Sequence, residues 1–268
     1  MRSMRNLAKR YKMGNTTMRM LITKDLKMKS RAVIAKNRIS QRQKETRLSR
    51  SKMFINWMKG KNNGNKVRIF SDEKLFTVDP VLNRRNSRYI SDDRAEDVNP
   101  AVKYNPKTKH PAKIMMLGVV ASDGEKCPPI FMPTNEKLNT DKYLEMLERH
   151  VLPWLQRTYP AGNYVFQQDG APAHAAKKTQ DFLKSKMPAV WLKNMWPPSS
   201  PDLNPLDYSI WAHVEAEACP NTRPNLESLK AAITHSWNRM EKQYVQRVCA
   251  SFRARVEKVV QADGDYIE

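Results

Sequence analysis

Three aspartates stand where strand-like runs end or a helical stripe begins. Asp72 follows Val67-Arg68-Ile69-Phe70, Asp169 follows Tyr164-Val165-Phe166-Gln167, and Asp207 heads a stripe with Ile210, Trp211 and Val214. Carboxylates gathered in one place are hard oxygen ligands, and the chemistry that suits them is phosphoryl transfer assisted by divalent metal ions. Mg2+ in such sites keeps several waters and takes only a few carboxylates, so two or three Asp or Glu suffice.

Each aspartate has a simpler reading when taken alone. Asp72 lies in Ser71-Asp72-Glu73-Lys74 and Asp169 in Gln168-Asp169-Gly170-Ala171-Pro172. Asp is favoured in turns for purely local reasons. Asp207 could equally serve as a helix cap or dipole partner. What sets Asp72 and Asp169 apart is shared position, since open α/β sheets gather functional residues at the carboxyl ends of strands. If their strands neighbour each other in parallel, the two carboxylates converge. Asp207 is spaced i, i+3, i+4 and i+7 with its apolar partners, so the stripe is expected to face the sheet. A carboxylate turned inward is costly unless a cation or donors meet it.

The elements that must position these residues follow from periodicity. Residues 6–26 read as two short helices about Met13-Gly14-Asn15, with Leu7, Ala8 and Tyr11 on one face and Met18, Leu21 and Ile22 on the next. This is the pattern of a helix-turn-helix, whose second helix would turn Thr16, Thr17, Arg19 and Thr23 outward toward DNA; it is also the pattern of any helical hairpin. Residues 24–50 are basic and weakly patterned, and Gln43 to Lys59 reads as a helix with Leu48, Phe54, Ile55 and Met58 partly buried. From Val67 the rhythm turns to short β-rich runs, at 67–70, 75–78, 114–121 and 129–132. Thr140 to Thr158 is a strongly amphipathic helix with Tyr143, Leu144, Leu147, Val151, Trp154 and Leu155 as its buried stripe. A strand at 164–167, a helix near 175–186, a short strand at 190–192, a Pro-rich loop and helices from about Asp207, Leu226 and Tyr244 complete the order. That order is expected of an RNase H-like α/β fold, a mixed sheet flanked by helices, preceded by a short basic helical segment. The expected domains are 1–26, a partial helix-turn-helix; 27–65, a basic linker and helix; and 66–268, the catalytic domain.

The 268 residues carry a formal charge of +21, which points to a polyanionic partner, nucleic acid first. Residues 1–60 hold eighteen Lys or Arg against Asp25 and Glu45, a net of +16. A solvated basic face or a nuclear import signal would explain such a run as well as DNA contact does. Cys127, Cys219 and Cys249 are odd in number and contain no C-x-x-C, so neither a disulfide framework nor a zinc site is indicated. The start lacks the apolar segment of a signal peptide, and the longest apolar run, Ile114 to Ala121, is too short to span a bilayer, so a soluble intracellular protein with no membrane partner is expected.

The sequence resembles the mariner superfamily of DNA transposases over nearly the whole chain. The motifs are Phe70-Ser71-Asp72-Glu73-Lys74, Gln168-Asp169-Gly170-Ala171-Pro172-Ala173-His174 and Ser200-Pro201-Asp202-Leu203-Asn204-Pro205-Leu206-Asp207-Tyr208. The family's three acidic ligands fall on Asp72, Asp169 and Asp207, with 96 and then 37 residues between them. The third ligand is Asp rather than Glu, and the 37-residue interval resembles one mariner-like lineage. The resemblance implies two bound Mg2+ or Mn2+ ions, cleavage of double-stranded DNA at terminal inverted repeats, joining of the freed 3′ hydroxyls into a TA target, a homodimer on DNA, and a nuclear location. Water and then DNA serve as nucleophiles, in keeping with the lack of a nucleophile-base pair in this sequence.

His174, Asp202 and Asn204 are secondary site candidates. His174 could contact DNA, brace the metal site, or simply pack. Asp202, Asn204 and Pro205 are expected to shape the loop that delivers Asp207, and Trp196 and Trp211 to be core. Family members normally carry two helix-turn-helix units, whereas residues 1–26 resemble only the last helices of the second, so an N-terminally truncated chain is expected. A catalytically silent or host-recruited DNA-binding protein is the alternative function, and an RNase H-like nuclease acting on RNA–DNA hybrids is a third.

Overall fold

Polar Ser71-Asp72-Glu73-Lys74 does not interrupt the first strand. β1 runs unbroken over Val67–Thr77, so the two short strands expected at 67–70 and 75–78 are one, and Asp72 lies inside it rather than past its end. Pairing explains the difference. β2, Lys113–Ala121, runs antiparallel to β1 from Ile69↔Ala121 to Thr77↔Lys113, and its ladder holds the polar residues extended where local preference alone would turn them. β3 is Ile130–Phe131, shorter than expected, and β4 is Tyr164–Gln167, parallel to β1. The sheet order is β3-β2-β1-β4. Of the strand expected at 190–192, one bridge, Val190 to Phe166, is formed.

The computed structural model describes residues 4–29, 38–61, 63–80, 97–100, 104, 108–134 and 136–267. It divides into two compact units, Met1–Arg38 and Ile39–Glu268. Part of the expected linker, 30–37, lies outside the described residues. The smaller unit holds α1, Met4–Arg10, and α2, Asn15–Met20, which continues as a π-helical turn, Leu21–Asp25. Ala8 and Met18 are its buried contacts, whereas Tyr11, expected on the packed face, is 60% exposed. Thr16, Thr17, Arg19 and Thr23 are all exposed, and the Thr23 hydroxyl donates to the Arg19 carbonyl at 2.8 Å.

In the larger unit, period-two alternation sorts the sheet's residues between two cores. Phe70, Phe76, Ile114, Met116 and Val120 face one; Ile69, Leu117, Val119 and Ala121 face the other. The first core is covered by α3, Gln41–Lys59, by the helices after residue 206, and by Trp191 and Trp196. Ser40 and Gln43 form a reciprocal capping box that starts α3. The second core lies under α4, residues 140–158, built from Thr140–Met146, a π-helical turn Leu147–Val151, and Leu152–Thr158, with all six expected stripe residues buried. Two short helices, α5 Pro172–Ala175 and α6 Lys177–Lys186, follow β4. After the Pro-rich loop come a π-helical turn Leu206–Ile210 leading into α7, Trp211–Ala218, then α8, Leu226–Arg239, and α9, Lys242–Gln261. All three cysteines are free and buried. Among the described residues no helix is long and apolar enough to cross a membrane.

Candidate active site

β1 and β4 are parallel neighbours, in register from Val67↔Tyr164 to Phe70↔Gln167. Two residues beyond that last pair on each chain stand Asp72 and Asp169, which is how the sheet brings them to one rim. Alternation along β1 turns Asp72 toward the α7 side and Glu73 toward the α4 side. Asp72, Glu73, Asp169 and Asp207 line a single cleft of about 740 Å3, whose other wall is the loop from Lys193 to Asn204, with Arg50 of α3 at its edge.

Opposite Asp72 in the ladder is Gly118. A methyl group there would meet the ring of Trp211 at 2.5 Å and that of Trp237 at 3.0 Å, so the missing side chain is what admits the indoles. Trp211, 2% exposed, uses the space to donate its Nε1–H to Asp72 Oδ2 at 2.6 Å. Gly118→Ala is expected to force Trp211 off its rotamer, costing about 1–3 kcal/mol as overpacked cores do. A lowered urea midpoint with an unchanged slope is the readout.

Asp207 departs from expectation in its direction. Ile210, Trp211 and Val214 are buried as the stripe requires, but Asp207 faces the open cleft instead of the sheet. The wider π-helical turn at Leu206–Ile210 takes it out of the 3.6-residue stripe. Although its surface opens to the cleft, burial of the carboxyl against the walls raises its pKa, with Asp169 adding to the rise and Lys74 and a hydrogen bond with Asp72 opposing it. Asp72 is raised further, by burial first and then by Asp207. Each carboxyl of the pair therefore holds its proton more tightly than a separate one would.

Asp169 is held differently. Burial would raise it, but the hydrogen bond and charge of His174, with the Ala171 amide, outweigh that and hold it below the ordinary range. His174 Nδ1 lies 2.5 Å from Asp169 Oδ1, and its Nε2 lies 3.2 Å from Glu73 Oε1. Burial would lower the imidazole, yet these two carboxylates raise it to about 10. The ring packs on Tyr143 at 4.1 Å, and its carbonyl accepts from both Gln168 and Gln180. His174 is thus held between Asp169 and Glu73, and both carboxylates favour its charged form.

Asp202 does not line the cleft. It is 2% exposed and paired with fully buried Arg47 of α3, Nη1 to Oδ1 at 3.0 Å and Nη2 to Oδ2 at 2.6 Å. Arg47 also donates to the Ser200 hydroxyl and, at 2.9 Å, to the Gly264 carbonyl, so one guanidinium ties the Pro-rich loop and the C-terminal turn to α3. Asn204 does reach the cleft; its Nδ2 donates to the Ser71 carbonyl at 3.2 Å and its Oδ1 accepts from Leu206 N–H at 3.2 Å, linking β1 beside Asp72 to the turn carrying Asp207. Trp196 and Trp211 are buried, as expected, though Trp196 also forms part of the cleft wall.

Glu73 and Arg47 were not among the expected site residues. Glu73 becomes legible once β1 is continuous, because alternation then places it opposite Asp72. Arg47 shares a spacing of i, i+4, i+7 and i+11 with buried Ser51, Phe54 and Met58, and a cation on an apolar stripe requires a buried partner.

The donor set is all hard oxygen, uncomplicated by thiolates, and its mutual repulsion is what a divalent cation relieves. It is not gathered tightly beforehand: among the described residues, no three His, Cys, Asp or Glu side chains already enclose one point. Asp72 and Asp207 are close enough to perturb each other's ionisation, while Asp169 Oδ1 is taken by His174 and the Ala171 amide.

A family profile described as DDE superfamily endonuclease matches residues 67–230, which contain all three aspartates. The chain is 28% identical over 226 residues to the Transposable element Tc3 transposase of Caenorhabditis elegans, covering 84% of this chain and 62% of that protein. It is 24% identical over 242 residues to the Mariner Mos1 transposase of Drosophila mauritiana, covering 86% of this chain and 64% of that one. The chain therefore spans less than two thirds of the length of these curated relatives. Among solved structures, the Mos1 transposase paired-end complex with left transposon end superposes with a TM-score of 0.81 at 21% identity, over 100% of this chain and 76% of that one. The Mos1 catalytic domain superposes with a TM-score of 0.66 at 23% identity, over 88% of this chain and 100% of that one. The fold is the expected RNase H-like arrangement of a mixed sheet flanked by helices. With its three carboxylates at the rim of that sheet and the profile spanning most of the larger unit, the chain belongs to the DDE superfamily of endonucleases, and its relatives are transposases of the mariner kind.

Proposed function

We propose that the protein is a DNA transposase that cuts double-stranded DNA at the terminal inverted repeats of a mobile element and joins the freed 3′ ends into TA targets. The observation that carries this reading is the meeting of Asp72, Asp169 and Asp207 in one cleft. These three would hold two Mg2+ or Mn2+ ions, which supply activation of the attacking oxygen and stabilisation of the leaving one. Solved Mos1 paired-end complexes with Mn and with Mg support the choice of ions. His174 fixes the direction of Asp169, Trp211 that of Asp72, and the Asn204 bridge that of the turn bearing Asp207. Water is the first nucleophile and the 3′ hydroxyl of the cut strand the second, so no side chain becomes covalently attached.

The paired-end complexes of Mos1 also support a dimer on DNA, and a nuclear location is part of the same proposal. Thr16, Thr17 and Arg19 of α2 and Thr23 of the turn after it are the outward residues that would contact DNA, with residues 1–26 as recognition segment, 27–65 as a basic linker and a helix, α3, that packs on the core, and 66–268 as the catalytic domain. The test is Mn2+-dependent nicking of a duplex bearing the terminal repeat that flanks the gene. Nicking that disappears in Asp207→Ala supports the reading. Salt-sensitive binding without any nicking would instead make this a silent DNA-binding derivative, and preferential cutting of an RNA–DNA hybrid would make it a hybrid nuclease.

A further inference from the structure

One residue beyond Asp207 a second groove begins, of about 560 Å3, between Tyr208 and the outer flank of α9. Arg247, Ser251, Arg255 and Lys258 line it at spacings of i, i+4, i+8 and i+11, so they form one stripe on α9. The helix's buried stripe, Val245, Cys249, Phe252, Val256 and Val259, lies on another face. Among the described residues no acidic side chain lines the groove. Glu257, on the opposite flank, is engaged by Arg253 at 3.0 Å, and Glu217 lies 3.7 Å from His213. Arg247 and Lys258 are exposed and have no acidic partner among the described residues.

The groove's floor is fixed. Tyr208 donates its hydroxyl to the Val248 carbonyl at 2.6 Å and accepts from Ser251 at 3.0 Å, and the Arg255 guanidinium lies 4.1 Å over its ring. Tyr244 is hydrogen bonded to Ser209 at 2.8 Å and packs on His213 at 4.9 Å. Both aromatic rings are already engaged, so the groove is poorly suited to stacking unpaired bases, the usual anchor of single-strand binding. It is suited to phosphates. From Arg247 to Lys258 the helix advances about 16 Å, over which one strand of a duplex presents about five phosphates.

We propose that this groove binds the sugar-phosphate backbone of double-stranded DNA running out of the cleft, with Arg247 and Lys258 as direct phosphate contacts and Tyr208 with Arg255 as the rigid floor. The inference rests on DNA being the substrate. Binding is therefore measured in EDTA, where cleavage chemistry plays no part.

The experiment is fluorescence anisotropy of the full chain with a labelled duplex, from 50 to 200 mM salt, comparing wild type with the double variant Arg247→Ala/Lys258→Ala. Two lost phosphate contacts should make the slope of log affinity against log salt shallower by about 1.8, a difference of about tenfold across that range. Arg253→Ala, on the other flank, should leave the slope unchanged. In the unaltered chain, saturating duplex should also shield Lys258 from acetylation. An unchanged slope in the double variant, no duplex binding by wild type, or equal Lys258 labelling with and without duplex overturns the proposal. Loss of nicking alone bears on the cleft and leaves these outcomes readable.

Discussion

Arg47→Ala is expected to destabilise the protein by about 3–5 kcal/mol, the usual cost of removing one partner from a buried ion pair. The arginine is fully buried, and its Nε and both Nη groups have acceptors: both oxygens of Asp202, the Ser200 hydroxyl, and the carbonyls of Ser199, Gly264 and Asp265. Alanine leaves the Asp202 carboxylate, among the described residues, with the Ile267 amide at 3.1 Å as its remaining donor, and orphans several carbonyls. Asp202→Ala strands the guanidinium in the same way. Removing both partners should cost clearly less than the two single changes added together, because neither charge is then left unpaired. Urea unfolding of the three variants measures this. Arg47→Ala unfolding at the wild-type midpoint would contradict the view that one guanidinium holds the loop, the C-terminal turn and α3 together.

The larger effect on function belongs to the carboxylates. Asp72→Ala, Asp169→Ala and Asp207→Ala should each reduce DNA cleavage by at least about a thousandfold, since metal assistance is worth several kcal/mol and each 1.4 kcal/mol is a factor of ten. DNA affinity measured in EDTA should not fall, because each substitution takes negative charge out of the cleft and removes no cationic contact. Stability should move the other way for Asp72→Asn. Burial and Asp207 both raise Asp72, so its ionised form is disfavoured in the metal-free fold, and a neutral isostere relieves that. A variant that loses cleavage without losing stability separates chemistry from folding, and side chains kept for function commonly carry such a cost. Matched losses of cleavage and of folded protein would show that the aspartates serve the structure instead.

How far the sequence reveals this site depends on which force decides each position. The helix at 140–158 is legible because its six apolar residues repeat at 3.6-residue spacing, and packing on the sheet requires nothing more. The convergence of Asp72 with Asp169 is legible only as a condition, parallel neighbouring strands, which the β1–β4 register meets. The continuity of β1 is hidden, since Ser71-Asp72-Glu73-Lys74 has turn composition and is held straight by a partner strand about 40 residues later. With that continuity goes Glu73, whose role depends on facing His174 across the strand. The outward swing of Asp207 is hidden for a different reason: a π-helical turn changes the period locally, and no composition marks it. Asp202 illustrates a motif residue whose importance is readable while its role is not. It stands beside Asn204 and Asp207 in the chain, yet it spends its charge inside the protein on Arg47.

Everything proposed for the cleft depends on Asp72, Asp169 and Asp207 acting on shared ions, and isothermal titration of Mn2+ into wild type and the three single alanine variants, with duplex DNA present, tests that most directly. Saturable binding in wild type that each substitution weakens or abolishes is the predicted result. Equal Mn2+ binding in all four proteins, or none in wild type, would contradict it.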